Sequence, residues 1–193
     1  MTPPPLQGHE PLSIRFANTR YAVRGQIHDG IGTPGQLRGW LADNAEELGI
    51  VPPAAEPDVA TFGALRDAIR GLIRSAVRAV APDVNEIGLL NSLSAVSPRW
   101  PTLVHVDGTY GVREQTTGDT TDRALAAIAQ DAVIALGGHL HDQLRDCQGP
   151  GCVLFFVKDH PRREWCSLAC GNRARAARHY LRHRAEGQAA SST

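Results

Sequence analysis

Apolar residues recur at intervals of three and four along two stretches of the chain, which predicts two long amphipathic helices. The first is predicted over about residues 59–80, with an apolar face of Phe62, Leu65, Ile69, Leu72, Ile73, Ala76 and Val80. The second is predicted over residues 121–136 and ends at Gly137-Gly138, with Leu125, Ile128, Ala132 and Leu136 facing inward. A third helix begins after Thr33, because Thr33, Pro34 and Gln36 form a capping box with proline at the first helical position. It ends at Gly49, and a shorter helix follows Asp83.

Patterns of period two predict strands between these helices. Leu12–Phe16 alternates apolar and polar residues, which suits a half-buried strand, and Tyr21–Arg24 either returns as its hairpin partner or belongs to a loop. Leu103–Val106 and Tyr110–Glu114 flank Asp107-Gly108, which predicts a β-hairpin. The N-terminal part of the chain is therefore predicted to be an α+β domain.

The four cysteines form two close pairs, Cys147-x4-Cys152 and Cys166-x3-Cys170, separated by 13 residues. This arrangement is typical of a zinc site, because each pair supplies one edge of a tetrahedron of thiolates. Disulfides are disfavoured because nothing in the sequence indicates export, and neither pair has the Cys-x-x-Cys spacing of thiol–disulfide chemistry. Four thiolates leave no open position for water, so one structural Zn²⁺ ion is predicted and not a catalytic one.

The spacer between the two cysteine pairs is predicted to fold as a hairpin. Val153–Val157 would form one strand, residues 158–161 the turn, and Arg163–Trp165 the return strand. Cys166 would then open a helix and Cys170 would lie one turn later on the same face. These features predict a small treble-clef-like four-cysteine zinc finger, in a segment that would rarely fold without the metal.

The net charge of zero is the sum of two unlike parts. Residues 1–144 carry 11 Arg and 16 acidic residues, a net charge of −5, whereas residues 145–184 carry 9 Lys+Arg and 3 acidic residues, a net charge of +6. The basic part favours an anionic partner. The longest apolar runs are too short to span a membrane and the N-terminus lacks the features of a secretion signal, so a cytoplasmic protein without a membrane partner is predicted.

Two groups of residues resemble known family signatures. Trp165-Cys166-Ser167 followed by Cys170-Gly171-Asn172-Arg173 is similar to the signature of the CGNR zinc finger. An ABATE-type domain commonly precedes this finger, and its opening resembles the fragments Phe16-Ala17-Asn18-Thr19, His28-Asp29, Thr33-Pro34 and Trp40-Leu41. The resemblance covers nearly the whole chain and implies a stress-linked transcription regulator whose finger binds DNA.

A projection of the last helix at about 100° per residue separates a metal-facing side from an arginine side. The metal side holds Cys166, Cys170, Ala174, Ala177 and Leu181, and the opposite side holds Arg175, Arg178, His179 and Arg182. An arginine row on a metal-clamped helix suits contacts with phosphates and guanine edges. The residues predicted to contact DNA are Arg162, Arg163, Arg173, Arg175, Arg178 and Arg182. Two alternatives stay open: a merely solvated helix face, and Arg173 bracing the zinc knuckle through backbone carbonyls.

A second arginine row, Arg66, Arg70, Arg74 and Arg78, lies on the first long helix. Because like charges four residues apart repel, the row is predicted to pair with acidic residues such as Asp43, Glu46 or Glu47, with anion binding as the alternative.

The N-terminal domain also contains a polar cluster that follows the first predicted strand. Its members, the candidate ligand pocket, are Asn18, Thr19, Arg20, His28 and Asp29. Positions at the end of a sheet often line a pocket, although Asn18 and Thr19 would equally cap a turn. No known catalytic motif is present, so the sequence favours a non-enzymatic role.

These observations predict a flexible tail at residues 1–11, an ABATE-like α+β domain at 12–144, a CGNR zinc finger at 145–184 and a flexible tail at 185–193. The predicted function is a zinc-containing transcription regulator that binds DNA through the finger, while the N-terminal domain senses a small-molecule ligand or mediates assembly. Left open are homo-oligomer formation, a finger that binds protein, and a small-molecule-binding protein or enzyme whose finger is purely structural.

Overall fold

The computed structural model describes residues 9–52 and 56–190, and side chains as far as Arg182. The helices and strands are, in chain order, α1 (Leu12–Ala17), β1 (Arg20–Val23), β2 (Gln26–Asp29), α2 (Pro34–Asp43), α3 (Ala45–Leu48), α4 (Val59–Arg78), α5 (Val84–Ser94), β3 (Arg99–Val106), β4 (Thr109–Thr116), α6 (Thr120–Gly137), a 3₁₀ turn (His141–Gln143), β5 (Leu144–Asp146), β6 (Phe155–Val157) and α7 (Leu168–Ala190). The strands form three antiparallel pairs, β1–β2, β3–β4 and β5–β6. The predicted mixed α/β architecture with a C-terminal four-cysteine cluster is confirmed.

Helix α4 is the centre of the main core and packs against α1, α5 and α6. Its apolar side chains Phe62, Leu65, Ile69 and Ile73 are buried, as the spacing predicted. Asp58 caps the helix by accepting a hydrogen bond from Ala60 N–H, and Ala79 ends it in the left-handed conformation. The helices predicted after Asp83 and over residues 121–136 form as α5 and α6. The helix predicted from Thr33 to Gly49 is divided at Asn44 into α2 and α3, with the Thr33 cap at its start and the left-handed Gly49 at its end as predicted.

The strand predicted at Leu12–Phe16 is wrong, because these residues form helix α1. Every side chain in this helix except Arg15 is buried, so the alternation in the sequence does not separate an exposed face from a buried one. The Asp131 carboxylate of α6 accepts a hydrogen bond from Ser13 N–H at 2.8 Å. This distant partner satisfies an N–H group that a six-residue helix leaves unpaired, so tertiary packing overrides the local pattern.

The hairpin partner of Tyr21–Val23 is the strand that follows it. Strand β1 pairs with β2 in a register that sets Arg20 opposite Asp29 and Tyr21 opposite His28. The turn between them is made by Arg24 and Gly25, both at positive φ. Tyr21–Val23 therefore belong to a hairpin, but one that does not involve residues 12–16.

The predicted tails differ from the structure where it describes them. Glu10, expected in a flexible tail, is buried and hydrogen-bonds Val157 N–H at 2.8 Å. At the other end, α7 continues to Ala190, past the predicted start of a tail at residue 185. Residues 1–8 and 191–193 lie outside the described part of the chain.

Strand β6 joins the main core to a second core around the cysteines. Phe155 and Val157 pack into the main core, whereas Leu154 and Phe156 pack with Tyr21 and the cysteines. Alternate side chains of a strand point to opposite faces, so this short strand serves both cores. The metal centre is thus fixed directly to the N-terminal domain.

Candidate metal centre and arginine surface

The four cysteine side chains converge at one point. All four Sγ atoms lie within 4.8 Å of one another, and none of the four cysteines forms a disulfide. The Sγ of Cys166 is 3.7 Å from that of Cys152 and 3.4 Å from that of Cys170. A tetrahedron with Zn–S bonds of about 2.3 Å has S···S edges of about 3.8 Å, so these separations fit zinc.

The first cysteine pair sits in a tight loop closed by backbone hydrogen bonds. Cys147 N–H donates to Leu154 C=O, and Cys152 N–H donates to Gly149 C=O, both at 2.9 Å. Gly149 also packs against the second pair, since a Cβ atom there would lie 3.0 Å from Cys170 Cβ and 3.3 Å from its Sγ. The loop therefore needs glycine at 149 to bring the two cysteine pairs together.

The second pair lies at the start of α7. Ser167 caps this helix, because its hydroxyl accepts a hydrogen bond from Cys170 N–H and its carbonyl accepts one from Gly171 N–H. Cys166 lies two residues before the helix, and its N–H donates to Cys147 Sγ at 3.5 Å. The helix thus begins slightly later than predicted, with Cys170 in its first turn.

The hairpin predicted between the pairs is wrong. Strand β6 pairs with β5, which precedes the first cysteine, and Arg163–Trp165 form no strand. The reason is that Arg163 turns inward: its guanidinium donates to Val157 C=O, pairs with the buried Glu10 carboxylate and lies 4.9 Å from the centre of the Phe156 ring. The loop and the helix that hold the cysteines agree with a treble clef, and that classification stays a prediction.

The Cys170-Gly171-Asn172-Arg173 signature has a contact for each residue. Cys170 is a metal ligand, and a Cβ atom on Gly171 would lie 3.0 Å from Trp165 Cδ1, so glycine lets the indole pack against the helix. Asn172 Oδ1 accepts a hydrogen bond from Arg175 Nη2 at 2.6 Å. Arg173 Nη2 donates to Cys170 Sγ at 2.9 Å, where it would stabilise a thiolate.

The thiol chemistry also fits a metal ligand set. Hydrogen bonds from Cys152 and Cys166 lower the pKa of Cys147, and the same interactions with Cys147 raise the pKa values of Cys152 and Cys166. The four thiols therefore compete for ionisation when they lie this close together. A divalent cation removes this competition by allowing all four sulfurs to bind as thiolates.

The fold and the cysteine cluster define a zinc-finger protein whose finger is packed on a mixed α/β domain. The ABATE family model, described as "Putative stress-induced transcription regulator", matches residues 10–139, and the CGNR zinc finger model matches residues 143–183. The first match covers more than half of the chain, so the protein belongs to the ABATE family. A comparison with curated proteins finds no significant match. The protein holds one structural zinc ion, with Cys147, Cys152, Cys166 and Cys170 as its ligands.

The predicted DNA-contacting arginines fall into three groups. Four are exposed and point away from the protein, and we call them the finger arginine surface: Arg162, Arg175, Arg178 and Arg182. Arg163 does not belong with them, because its side chain is buried and bonded to Glu10, Val157 and Asp159. Arg173 combines exposure with its bond to Cys170 Sγ, so it braces the knuckle through sulfur and not through carbonyls.

The arginine row on α4 does not pair with the acidic residues named from the sequence. Arg66 makes a two-pronged ion pair with Asp29, with N–O distances of 2.5 and 2.8 Å. Arg70 donates to the carbonyls of Ala17 at 2.7 Å and Val153 at 2.8 Å. Glu47 pairs instead with Arg15. Burial, followed by repulsion from Arg74, lowers the pKa of Arg70 to about 10.

The candidate ligand residues all have partners within the protein. The Asn18 side chain makes both amide hydrogen bonds to the backbone of Phe155 at 2.9 Å, and Thr19 Oγ1 donates to Phe16 C=O. Asp29 binds Arg66, and His28 stacks on Tyr21 with ring centres 5.6 Å apart. Arg20 makes a long contact to Asp67 and lines a surface cavity beside α4. Asn18 thus fastens the finger to the domain.

Sequence reasoning missed the set of side chains that join the two parts of the protein. Glu10, Asn18 and Arg70 each bond the backbone or a side chain of residues 153–163, more than 80 positions away in the chain. One signal was available, because Arg66 and Arg70 flank the apolar stripe of α4 at Leu65 and Ile69. Arginines at the edge of a buried face need internal acceptors.

Proposed function

We propose that the protein is a transcription regulator that binds DNA through the finger arginine surface. The observation that carries this proposal is that Arg175, Arg178 and Arg182 stand exposed on a helix whose first turn contains a zinc ligand. A helix that begins in a metal centre presents its side chains in fixed positions. Such a row is complementary to the phosphate backbone and to guanine edges in a major groove.

The details of the row favour contact with an anion over a merely solvated face. From Arg175 to Arg182 the helix rises about 10 Å, enough to meet successive phosphates of one strand. Within the described part of the chain, Arg178 and Arg182 have no acidic partner, and Asn172 orients Arg175. The finger segment is also net positive, while the rest of the chain is net negative. This asymmetry directs DNA to the finger.

The test is binding of the zinc-loaded protein to mixed-sequence duplex DNA at two salt concentrations. Replacing both Arg178 and Arg182 with Gln should weaken binding about tenfold or more and lower the salt slope by about two. A variant with Arg24→Gln and Arg78→Gln removes the same charge from exposed positions outside the finger and should bind like the parent. Equal binding by the two variants would contradict the proposal.

For the N-terminal domain, we propose ligand sensing, and a surface cavity beside α4 supports this proposal. The cavity has a volume of about 480 Å³ and lies between β2, α4 and α5. Its apolar wall includes Ile27, Ala68 and Leu89. Its charged residues are Arg20, Arg70 and Arg74 together with the carboxylates Asp67, which is bonded to Arg20, and Glu86, which interacts with Arg74, so the arginines outnumber the carboxylates. Val153 of the finger segment lines it too, and the Val153 carbonyl is held by Arg70. We infer a small carboxylate with an apolar body as the ligand class, sensed at the joint with the finger.

Hexanoate is a suitable first probe of this cavity, with hexanol as the uncharged control. Hexanoate should raise the melting temperature of the protein, and hexanol should do so much less, because only the carboxylate pairs with Arg74. Arg74→Gln should abolish the difference between the two probes. An equal effect of both probes on the parent protein would count against ligand sensing by charge.

A further inference from the structure

A second cavity lies at the C-terminal end of helix α4, where α4 meets α5, the end of α6 and the 3₁₀ turn. Its volume is about 400 Å³, which is within the range of small-molecule sites. Three of the residues that line it, Ala76, Ala79 and Gly137, have little or no side chain, so the packed helices leave this space unfilled. We call it the apolar cavity, to distinguish it from the cavity between β2, α4 and α5.

The apolar cavity has a buried floor and a partly exposed rim. Leu72 and Leu90 are 6% and 4% exposed and form the floor, whereas Ile87 and Val133 are 38% and 39% exposed and stand at the rim. Among the described residues that line it, none is charged, although arginines and carboxylates line the cavity between β2, α4 and α5. Burial of an ion without a counter-charge is strongly unfavourable, so the apolar cavity suits an uncharged ligand.

Three polar side chains also line the apolar cavity, and one of them has a fixed hydrogen-bonding role. His141 Nδ1 is 2.8 Å from Leu136 C=O. A carbonyl oxygen only accepts hydrogen bonds, so Nδ1 carries the proton, and Nε2 of the neutral ring is an acceptor. The other two are Ser75 and Asn91, and neither side chain hydrogen-bonds another residue in the described part of the chain. The cavity therefore combines an apolar wall with an imidazole acceptor.

We propose that the apolar cavity binds a small, rigid, uncharged molecule that carries one hydroxyl group, such as a bicyclic phenol. Its rings would release water from Leu72, Leu90 and Ile87, and its hydroxyl would donate to Nε2 of His141. A rigid ring system loses less conformational freedom on binding than a flexible chain such as hexanol, so it should bind more tightly. This site is separate from the DNA surface and from the carboxylate site, and it rests on neither of them.

The experiment is equilibrium dialysis of the zinc-loaded full chain with 2-naphthol, and with naphthalene as the probe that lacks the hydroxyl. The parent should bind one 2-naphthol per chain with a dissociation constant of about 100 μM or below. Ala76→Phe should weaken the binding of both probes about tenfold or more, because the added ring occupies the cavity. Gly137→Leu is a second filling variant and should act in the same way, since a Cβ atom there would meet no other atom within 4 Å.

The matched control is Ala60→Phe, which places the same side chain at an exposed position in the first turn of α4. It should bind both probes like the parent. His141→Phe keeps a ring at this position and removes the acceptor. It should weaken the binding of 2-naphthol about fivefold and leave that of naphthalene unchanged, because only 2-naphthol has a hydroxyl to donate.

Each outcome supports or overturns the assignment. A parent that shows no saturable binding of 2-naphthol, or filling variants that bind it like the parent, overturn the site. An equal effect of His141→Phe on both probes overturns the role of His141. Thermal unfolding identifies a filling variant that has lost its fold, and the other filling variant then decides. DNA and hexanoate binding by the parent separate the proposals: a parent that binds 2-naphthol but neither of these overturns only the proposed functions, and the reverse overturns only the apolar site.

Discussion

Helices α4 and α7 both carry arginines spaced three or four residues apart, but their side chains lie in different surroundings. On α4, Arg66 and Arg70 are buried and each is bonded to groups of other elements. On α7, Arg178 and Arg182 are exposed and have no acidic partner among the residues described. The same residue type at the same spacing thus serves internal joints in one helix and an outward surface in the other.

The difference shows that the neighbours of an arginine decide its role more than its spacing does. The α4 row borders an apolar stripe, so burial brings carbonyls and Asp29 within reach of the guanidinium groups. The α7 row lies on a helix that leaves the body of the protein, with Leu181 64% exposed. A buried cation needs acceptors inside the protein, while an exposed one is available to an external anion.

The largest expected effect comes from removal of the metal. It should disrupt the helix that presents the α7 arginines and leave the buried α4 arginines in place. Chelation of zinc, or Cys166→Ser, should unfold the finger because four thiolates hold its loop and helix together. DNA affinity should then fall to background while α4 stays helical. Acidification should act in the same direction, since the ligand thiols must lose protons to bind zinc. Circular dichroism, zinc release and DNA titration follow these changes; full DNA affinity without zinc would refute the assignment.

The next effect comes from the inner row. Arg70→Met should lower the free energy of unfolding by about 3 kcal/mol, because the carbonyls of Ala17 and Val153 lose their buried donor. Arg74→Met, one turn further and exposed, should cost less than about 0.5 kcal/mol. Chemical denaturation of both variants measures the difference in free energy of unfolding. Equal values would show that the bonds from Arg70 to Ala17 and Val153 do not stabilise the protein.

Arg173 is exposed like the α7 arginines and bonded within the protein like the α4 arginines. Its replacement should weaken zinc binding more than it weakens DNA binding by the zinc-saturated protein. Arg173→Gln should weaken zinc binding by about tenfold to a hundredfold, because the guanidinium no longer stabilises the Cys170 thiolate. Arg173→Lys keeps the charge and should lose less. Competition with a chromophoric chelator gives the zinc affinity. If zinc affinity were unchanged and the DNA affinity of the zinc-saturated variant fell, Arg173 would contact DNA and would not stabilise the metal centre.

The smallest effect is expected at the partly exposed end of the inner row. Asp29→Asn should cost about 1 kcal/mol, because Asp29 is 43% exposed and Arg66 keeps its contact to Asp67. The hydrogen bond from Arg66 lowers the pKa of Asp29 in the folded protein. The stability from this pair is therefore present above the unfolded pKa and lost as pH falls through the folded pKa. Denaturation at pH 7 and pH 2.5 should show the difference between the parent and the variant shrinking at the lower pH.

Local signals in the sequence predicted the parts of the fold that depend on local interactions. The Thr33 cap, the stripe of α4 and the Asp107-Gly108 turn each involve residues within one or two helical turns or one hairpin. The zinc ligands followed from spacing because metal geometry constrains close pairs strongly. In these cases the physics that fixes the structure is contained in a short window.

The rest depended on partners far away in the chain. Helix α1 is capped by Asp131, and Arg163 is drawn inward by Glu10, 153 positions earlier. No window of sequence contains both members of such a pair. Leu12–Phe16 was therefore predicted as a strand from its alternation, and Arg163–Trp165 as the return strand of a hairpin between the cysteine pairs. Asn18 was named from the sequence as a candidate ligand residue or turn cap, and its role in bonding the Phe155 backbone required the fold.

Strand β6 has a consequence for how such proteins can be recombined. Its alternate side chains belong to two cores, and its backbone is bonded by Asn18 and Glu10 of the domain. A finger cut out at residue 145 and fused to another protein would expose Phe155 and Val157 and lose the partner strand residue Leu144. The finger and the N-terminal domain therefore depend on each other for folding. A chimera would have to carry β6 together with the residues of the domain that bond to it.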